Sequence, residues 1–248
     1  MVPTQLPPEI QSLLLSRLLH RDLSSPTHLT NIHTHYTLSY PPSHTSFFSI
    51  PPSSSSAIAT PLDPTVHKPL TVSKILNKKL RWTTLGGQYD WTAKRYPDAP
   101  PPAFPADVKA LLEDIFMGTK AEAAIVNIYS PGDTLSLHRD VAETSETGLI
   151  SVSLGCDAIF VVGTSPGDGS AEKMLTLRLK SGSAVYMSGP SRFAWHGVSQ
   201  IVAGTCPGYL ERWPGSVDGD GDGGGAYEQW TGWMANKRVN LNVRQMWD

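Results

Sequence analysis

The second half of the chain is a succession of short apolar or alternating runs broken by Gly, Pro, Asp and Ser. Six of these runs are AAIVNIY, LISVSLG, AIFVVG, MLTLRLK, SAVYMSG and VNLNVRQMW, all between residues 123 and 247. Several short strands at near-even spacing are typical of an antiparallel sandwich or jelly roll. We therefore predict a mainly β fold with a jelly-roll core.

Two segments outside these runs predict helices, each beginning after a proline. The first follows Pro8, with apolar residues at helical spacing: Ile10, Leu13, Leu14 and Leu18. The second follows Pro105, with Val108, Leu111, Leu112, Ile115 and Phe116 on one face. Because each has one apolar face, we expect both helices to pack on the outside of the core.

Between Tyr40 and Pro69 the composition shifts to proline and serine, which supply no periodic apolar face. We predict that residues 1–70 form an N-terminal helix and a wrapping segment, and that residues 71–248 form the main domain. Within that domain, the Asp- and Gly-rich stretch at about 214–226 predicts a flexible acidic loop. Counted from Asp218, the twelfth position, where a helix-loop-helix calcium loop has glutamate, is Gln229, so we do not predict calcium binding there.

Charge and cysteine content bound the class of protein. A formal net charge of −2 excludes a broadly basic nucleic-acid coat protein, although a local basic patch remains compatible with it. The two cysteines, Cys156 and Cys206, form no C-x-x-C, which predicts a reducing compartment and no structural zinc. With no secretory signal or membrane-spanning run, we expect a soluble intracellular monomer in the nucleus or cytoplasm, with the mitochondrion as an alternative.

The stretch NIYSPGDTLSLHRD, residues 127–140, ends in a tripeptide with two interpretations. A kinase catalytic loop needs an asparagine five positions after the aspartate and a D-F-G elsewhere, but position 145 is Ser145 and D-F-G is absent. A metal site needs His138 and Asp140 on one face of a strand, which a spacing of two provides. The third ligand would be His196, since the six other histidines all precede residue 70. Two histidines and a carboxylate suit non-haem iron(II).

The last run, KRVNLNVRQMW, places Arg238, Asn240 and Arg244 at even spacing and so on one face of a strand. Two arginines inside a β core are costly unless they meet an anion. A dicarboxylic acid would fit, because a guanidinium matches a carboxylate with two parallel hydrogen bonds. The alternative is an exposed strand face.

Taken together, three motifs resemble the AlkB family of iron(II)- and 2-oxoglutarate-dependent dioxygenases. They are N-x-Y-x-P-G-D-x-L-S-x-H-x-D, M-S-G-x-S-R-x-x-x-H-G-V and R-x-N-L-N-x-R, in family order over about residues 72–247. Within the family, LRWTTLGGQYDW and the S-G-x-S-R form resemble the AlkB homologue one branch, in a form typical of fungi. The resemblance implies a double-stranded β-helix, which is a jelly roll, and a nucleotide-recognition lid over about residues 80–105.

The resemblance also implies residue roles. The iron ligands would be His138, Asp140 and His196. The 2-oxoglutarate contacts would be Asn127, Tyr129, Arg238, Asn240 and Arg244. The lid aromatics that stack on a base would be Trp82, Tyr89 and Trp91, for which ordinary packing is the alternative.

The activity implied is oxidative demethylation of N-methylated bases, methyladenine first, in DNA or RNA. It would use iron(II), 2-oxoglutarate and O2, and release formaldehyde, CO2 and succinate. The target base would be single-stranded, looped or flipped out of a duplex. Two departures from the family pattern, Ala142 and the segment TSPGDGS at 164–170, leave the base and the type of nucleic acid open. The alternatives are a hydroxylase of a protein or small molecule, and a catalytically silent nucleic-acid-binding module.

Overall fold

The structure is a computed structural model that describes residues 6–164, 172–215, 225 and 227–247. In the described residues, the strands are β1 (Tyr36–Leu38), β2 (Ala57–Pro61), β3 (Leu70–Thr71), β4 (Trp82–Gly86), β5 (Ala123–Tyr129), β6 (Leu135–His138), β7 (Leu149–Gly155), β8 (Ala158–Thr164), β9 (Lys173–Leu179), β10 (Ala184–Met187), β11 (Trp195–Ile201) and β12 (Arg238–Arg244). The helices are α1 (Pro8–Ser16), α2 (Val72–Lys74), α3 (Ala106–Ile115) and α4 (Gly208–Glu211).

Two antiparallel sheets face each other across an internal cavity. The five-stranded sheet has the order β10-β7-β12-β5-β4, and the four-stranded sheet has the order β6-β11-β8-β9. Side chains from both sheets line the cavity between them. The predicted mainly β fold with a jelly-roll core is confirmed, and the predicted runs form β5, β7, β8, β9, β10 and β12.

Both predicted helices form and bury one face. Helix α1 continues through a π-helical segment, Arg17–Asp22, and its buried side chains are Leu14, Leu15, Leu18 and Leu19. Helix α3 buries Val108 and Leu112. All six side chains join one hydrophobic cluster with the core strands, where burying each contributes about 1.5–3 kcal/mol before the entropy cost.

The Pro- and Ser-rich segment wraps the core with more regular structure than its composition indicates. Strands β1 and β2 belong to a small sheet of order β1-β2-β3, and a 3-10 turn, Phe47–Ser49, lies between them. The Phe48 ring is buried edge-on against Trp213, Trp230 and Trp233, at 5.2, 5.5 and 5.2 Å between ring centres. The hydrophobic core therefore includes residues from both sides of residue 70, and the domain division there stays a prediction.

Three further expectations concern the rest of the chain. Cys156 and Cys206 are buried and form no disulfide. In the described part of the chain, no helix has the length and apolar character needed to cross a bilayer. The predicted acidic loop at 214–226 lies almost wholly outside the described residues, and so do residues 165–170 of the TSPGDGS segment.

Candidate metal centre and cosubstrate pocket

Strands β6 and β11 bring two histidines together. His138 and His196 are cross-strand partners, and their ring centres are 4.3 Å apart. Asp140 follows His138 by two positions, and the ligand atoms of all three side chains lie within 4.8 Å of one another. The structure therefore assembles the predicted set of two histidines and one carboxylate, a donor set that suits non-haem iron(II).

Both histidines are oriented by backbone carbonyls. The Nδ1 of His138 lies 2.9 Å from the carbonyl oxygen of Ser136, and the Nδ1 of His196 lies 3.0 Å from that of Ala194. Because a carbonyl can only accept, each Nδ1 donates a proton to it, which in the neutral ring leaves the lone pair on Nε2. Both rings are thus in the tautomer that a metal requires.

The Asp140 carboxylate has one satisfied oxygen and one open oxygen. Its Oδ1 accepts a 2.9 Å hydrogen bond from Nη2 of Arg244. Its Oδ2 lies 3.6 Å from Nε2 of His196 and is buried without a hydrogen bond from any described residue. Burial acts to raise the pKa of Asp140, but Arg244 and the two histidines outweigh it, so the pKa lies below its ordinary value. A buried, ionised oxygen without a donor is costly unless a cation meets it, which fits a metal at this position.

A buried charge network lies behind Asp140 and includes two residues for which the sequence predicted no role. The Nε of Arg244 lies 3.0 Å from Oε1 of Glu143, as an ion pair without hydrogen-bond geometry. The other carboxylate oxygen of Glu143 pairs with Nη2 of Arg192 at 3.2 Å. Arg192 also donates 2.8 Å hydrogen bonds to the backbone carbonyls of Asp140 and Thr147. The network fixes both the side chain and the backbone of the aspartate ligand.

Arg238 is a buried arginine with open donors. It is 1% exposed, and its Nη2 donates to Ser153 Oγ at 2.9 Å. Its Nε and Nη1 lack a well-formed hydrogen bond within the described residues. The guanidinium lies 5.3 Å from the centre of the Tyr129 ring, whose buried hydroxyl is also without a well-formed hydrogen bond. Buried donors are rarely left unpaired, so an anion such as a carboxylate fits here.

One cavity connects these groups. Its volume is about 480 Å³, and it lies between the two sheets. The predicted site residues that line it are His138, Asp140, His196, Asn127, Arg238, Asn240 and Arg244. Asn240 is fixed by 2.8 and 3.0 Å hydrogen bonds from its Nδ2 to Ser151 Oγ and the Val152 carbonyl. The exposed-face alternative for β12 is wrong, because Arg238, Asn240 and Arg244 are all buried.

Aromatic side chains from the segment after β4 line the same cavity. Tyr89 and Trp91 do so, and so does Tyr96, for which the sequence predicted no role. Trp82 is not among the lining residues, and its ring instead packs 5.4 Å from the ring of Trp91. Tyr89 contacts Trp91 and Tyr96 edge-on, at 4.8 and 5.3 Å. Two of the three predicted stacking residues are therefore placed to meet a ligand.

A second, polar groove of about 680 Å³ lies beside α1, away from the metal ligands. Its polar side chains bond to one another: Gln11 with Ser181 and Tyr209, and Arg178 with Asp157. Because these donors and acceptors are already paired with one another, the cavity between the sheets is the better candidate for a reaction site.

Comparison with known proteins agrees with this geometry. The family model of the 2OG-Fe(II) oxygenase superfamily matches residues 51–244. An N6-methyladenosine RNA demethylase of Pyricularia oryzae is 48% identical over 98% of this chain and 73% of its own length. A second N6-methyladenosine RNA demethylase, from Cryphonectria parasitica, is 50% identical over 88% of this chain and 100% of its own length.

A tRNA demethylase of Schizosaccharomyces pombe is 47% identical over 72% of this chain and 57% of its own length. The solved structure of OsALKBH1 superposes with a TM-score of 0.50 at 24% identity, covering 67% of this chain and 78% of that one, and supports the fold alone. Matched family and assembled site agree: the chain belongs to the AlkB family of the 2-oxoglutarate- and iron(II)-dependent oxygenases, and is a dioxygenase that uses iron(II), 2-oxoglutarate and O2.

Proposed function

We propose that this dioxygenase removes methyl groups from N-methylated bases in nucleic acid, with N6-methyladenine in RNA as the first candidate. The observation that carries the proposal is the wall of Tyr89, Trp91 and Tyr96 in the cavity that contains the metal ligands. Flat aromatic faces beside a reactive centre suit a flat substrate such as a nucleobase. The two relatives that match 98% and 88% of this chain are named N6-methyladenosine RNA demethylases, which supports adenine in RNA.

Each part of the pocket has a distinct task in this proposal. Iron bound by His138, Asp140 and His196 would supply the oxidising chemistry with O2 and 2-oxoglutarate. Arg238 pairs with the carboxylate of 2-oxoglutarate farthest from the metal and thereby fixes its orientation. The aromatic wall stacks on the base and directs its methyl carbon toward the metal. Hydroxylation of that carbon gives a hemiaminal, which breaks down to formaldehyde and the unmodified base.

The target base enters unpaired. A base stacked inside a duplex cannot reach side chains inside a cavity between two sheets, so it must come from a single strand or loop, or be flipped out. We propose that the chain acts as a monomer, because its three metal ligands and four of its five predicted 2-oxoglutarate residues already meet in one cavity, without a residue from a second copy. The nucleus and cytoplasm are the proposed compartments, with the mitochondrion as the alternative.

The two alternatives are less well supported. A hydroxylase of a protein or small molecule does not need an aromatic wall, yet Tyr89 and Trp91 line the cavity. A silent binding module would not need an intact ligand set, whereas His138, Asp140 and His196 are assembled. Both observations favour a nucleic-acid demethylase.

A formaldehyde-release screen tests the proposal. The substrates are oligonucleotides that carry N6-methyladenine in RNA, N6-methyladenine in DNA, or N1-methyladenine in a tRNA stem-loop. We expect the wild type to release formaldehyde from at least one of them, with His138→Ala inactive and His35→Ala, at an exposed histidine, serving as a matched control. Consumption of 2-oxoglutarate without formaldehyde from any oligonucleotide would favour the alternative hydroxylase.

A further inference from the structure

An exposed tryptophan lies beside the metal ligands on the outer face of the four-stranded sheet. Trp195 precedes His196 on β11, and because neighbouring residues on a strand point to opposite faces, its ring points away from the cavity and is 47% exposed. Its cross-strand partner on β8 is Gly163, which in turn pairs with Met174 of β9. Gly163 adds no side chain between the indole and Met174, which is 76% exposed.

Arg139 connects this ring to the cavity. It lies between the ligands His138 and Asp140 in the sequence, and it lines the cavity. Its guanidinium carbon lies 5.6 Å from the centre of the Trp195 ring, within the range of a cation–π contact. The exposed side chains of Leu137 and Val141 flank it. A continuous surface thus runs from the cavity lining to the indole, and we refer to Arg139 and Trp195 as the outer platform.

The charges on this surface suit an anionic partner. Arg139 and Lys94, the lysine that also lines the cavity, form no ion pair with any carboxylate of the described residues. A nucleotide offers a phosphate for a guanidinium and a flat face for an indole in a single unit. In addition, a strand that places one base in the cavity must carry its neighbouring nucleotides past the residues at the edge of that cavity, of which Arg139 is one.

We propose that the outer platform binds a nucleotide flanking the target base, with Arg139 on its phosphate and the Trp195 indole stacked on its base. The proposal rests on the proposed function, because the strand crosses the platform only if its target base enters the cavity. It also goes beyond that function, since it assigns a second contact to single-stranded nucleic acid on the opposite face of the sheet from the metal ligands. Bound there, the flanking nucleotide would hold the strand in register with the cavity.

The test measures the affinity of the full chain for a fluorescein-labelled, unmethylated, nine-nucleotide single-stranded RNA by fluorescence anisotropy. We expect Trp195→Ala to raise Kd about tenfold, the effect of losing one stacked base, and Trp195→Phe to restore most of the affinity. Arg139→Gln should raise Kd and reduce the slope of log Kd against log salt by about 0.7, the effect of losing one phosphate contact on a single strand. Trp195→Ala should leave that slope unchanged, because stacking releases no counterions.

Trp247→Ala is the matched control, since Trp247 is 46% exposed and lies outside the platform. The thermal unfolding midpoint of each variant shows whether it is folded. If Trp195→Ala does not fold, Trp195→Phe and Arg139→Gln still test the proposal.

Three results would overturn the platform: wild-type affinity in Trp195→Ala and Arg139→Gln, equal loss in Trp195→Phe and Trp195→Ala, or a wild-type dimer that Trp195→Ala dissociates. The proposed function fails on a different result, namely normal RNA binding by the wild type without formaldehyde release from any methylated oligonucleotide. The two failures are therefore distinguishable.

Discussion

The guanidinium of Arg244, at the end of β12, donates a 2.9 Å hydrogen bond to Oδ1 of Asp140. The last strand of the chain thereby orients the carboxylate that completes the metal site, and Oδ2 of Asp140 is left toward His196. Arg238, six residues earlier on the same face, has no carboxylate partner among the described residues and donates instead to Ser153 Oγ at 2.9 Å. The sequence predicted both arginines as 2-oxoglutarate contacts. In the structure, however, their side chains have different partners.

Arg238→Met should raise the 2-oxoglutarate concentration needed for half-maximal turnover by at least about 30-fold. The change removes the planar fork that matches a carboxylate, and loss of a buried charged pair costs about 2–5 kcal/mol, where each 1.4 kcal/mol is tenfold. Succinate formation at varied 2-oxoglutarate, with iron in excess, measures the effect. An unchanged requirement would place the anion site elsewhere.

Arg244→Met should act first on the metal. Residues that orient metal ligands typically contribute 10–100-fold to metal affinity, and Met replaces the guanidinium with an apolar side chain of similar length. Anaerobic titration with iron(II), followed by the absorbance of the chelate with saturating 2-oxoglutarate, measures the affinity. If Arg244→Met raised only the 2-oxoglutarate requirement, the assignment to Asp140 would be incorrect.

Glu143→Ala should lower the free energy of unfolding by about 3–5 kcal/mol, because it leaves Arg192 and Arg244 buried with fewer counter-charges. The Glu143 side chain is 2% exposed where it pairs with Arg192. Urea denaturation measures the change, and Glu146→Ala, at an exposed glutamate three residues further along, is the control. Equal stabilities for the two variants would show that the network contributes nothing to folding.

Trp91→Ala should raise the KM for a methylated oligonucleotide about tenfold, as expected for the loss of one stacking contact. Trp82→Ala should raise it less, since Trp82 contacts the Trp91 ring and does not line the cavity. Formaldehyde release over a range of oligonucleotide concentrations gives both values. A larger effect in Trp82→Ala, with an unchanged thermal midpoint, would contradict the placement of the two rings.

His20 should make stability pH-dependent far from the metal site. Burial lowers the pKa of His20 to about 4, where its ring stacks on Trp213 and Tyr227 and its Nδ1 lies 3.0 Å from Ser46 Oγ. In the unfolded chain the pKa is 6.5. As the pH falls, the unfolded state therefore binds a proton before the folded state does. The contribution of the neutral, buried His20 to the free energy of unfolding is complete above pH 6.5, is lost between pH 6.5 and 4, and does not change further below pH 4.

Since each pKa unit corresponds to 1.36 kcal/mol, the loss is at most about 3 kcal/mol, and partial exposure reduces it. Urea denaturation between pH 4 and 7 measures it. His20→Phe should remove this pH dependence, whereas His35→Gln, at an exposed histidine, should retain it. A wild-type profile that is flat over that range would exclude a neutral, buried His20.

The sequence predicted the elements whose patterns are long and regular. β5, β7, β8, β9, β10 and β12 have alternating or continuous apolar runs, and α1 and α3 have one clear apolar face. β11 was not among the predicted strands, because Gly197, Ser199 and Gln200 interrupt its apolar pattern. β1 and β2 were missed because they lie just before and within a Pro- and Ser-rich stretch, and because no local pattern records the contact of Phe48, which lies between them, with Trp213.

The ligand set could be predicted because spacing places His138 and Asp140 together and the count of histidines leaves His196 as the partner. The roles of Glu143 and Arg192 could not be predicted, because they depend on a side-chain network between a loop and the turn before β11. An acid three residues after Asp140 and an arginine four residues before His196 were the only local signals. The separate roles of Arg238 and Arg244 likewise depend on three-dimensional contacts and could not be predicted from the sequence.

We propose that one cavity couples 2-oxoglutarate consumption to methyl removal from a base. The direct measurement quantifies succinate and formaldehyde together, with wild type and Asp140→Ala, on an RNA oligonucleotide that contains N6-methyladenine. We expect formaldehyde and succinate to rise together in near-equal amounts in the wild type, and neither to exceed background in Asp140→Ala. Two results would contradict this coupling. One is that the oligonucleotide does not stimulate succinate formation and no formaldehyde is released. The other is equal activity in the wild type and Asp140→Ala.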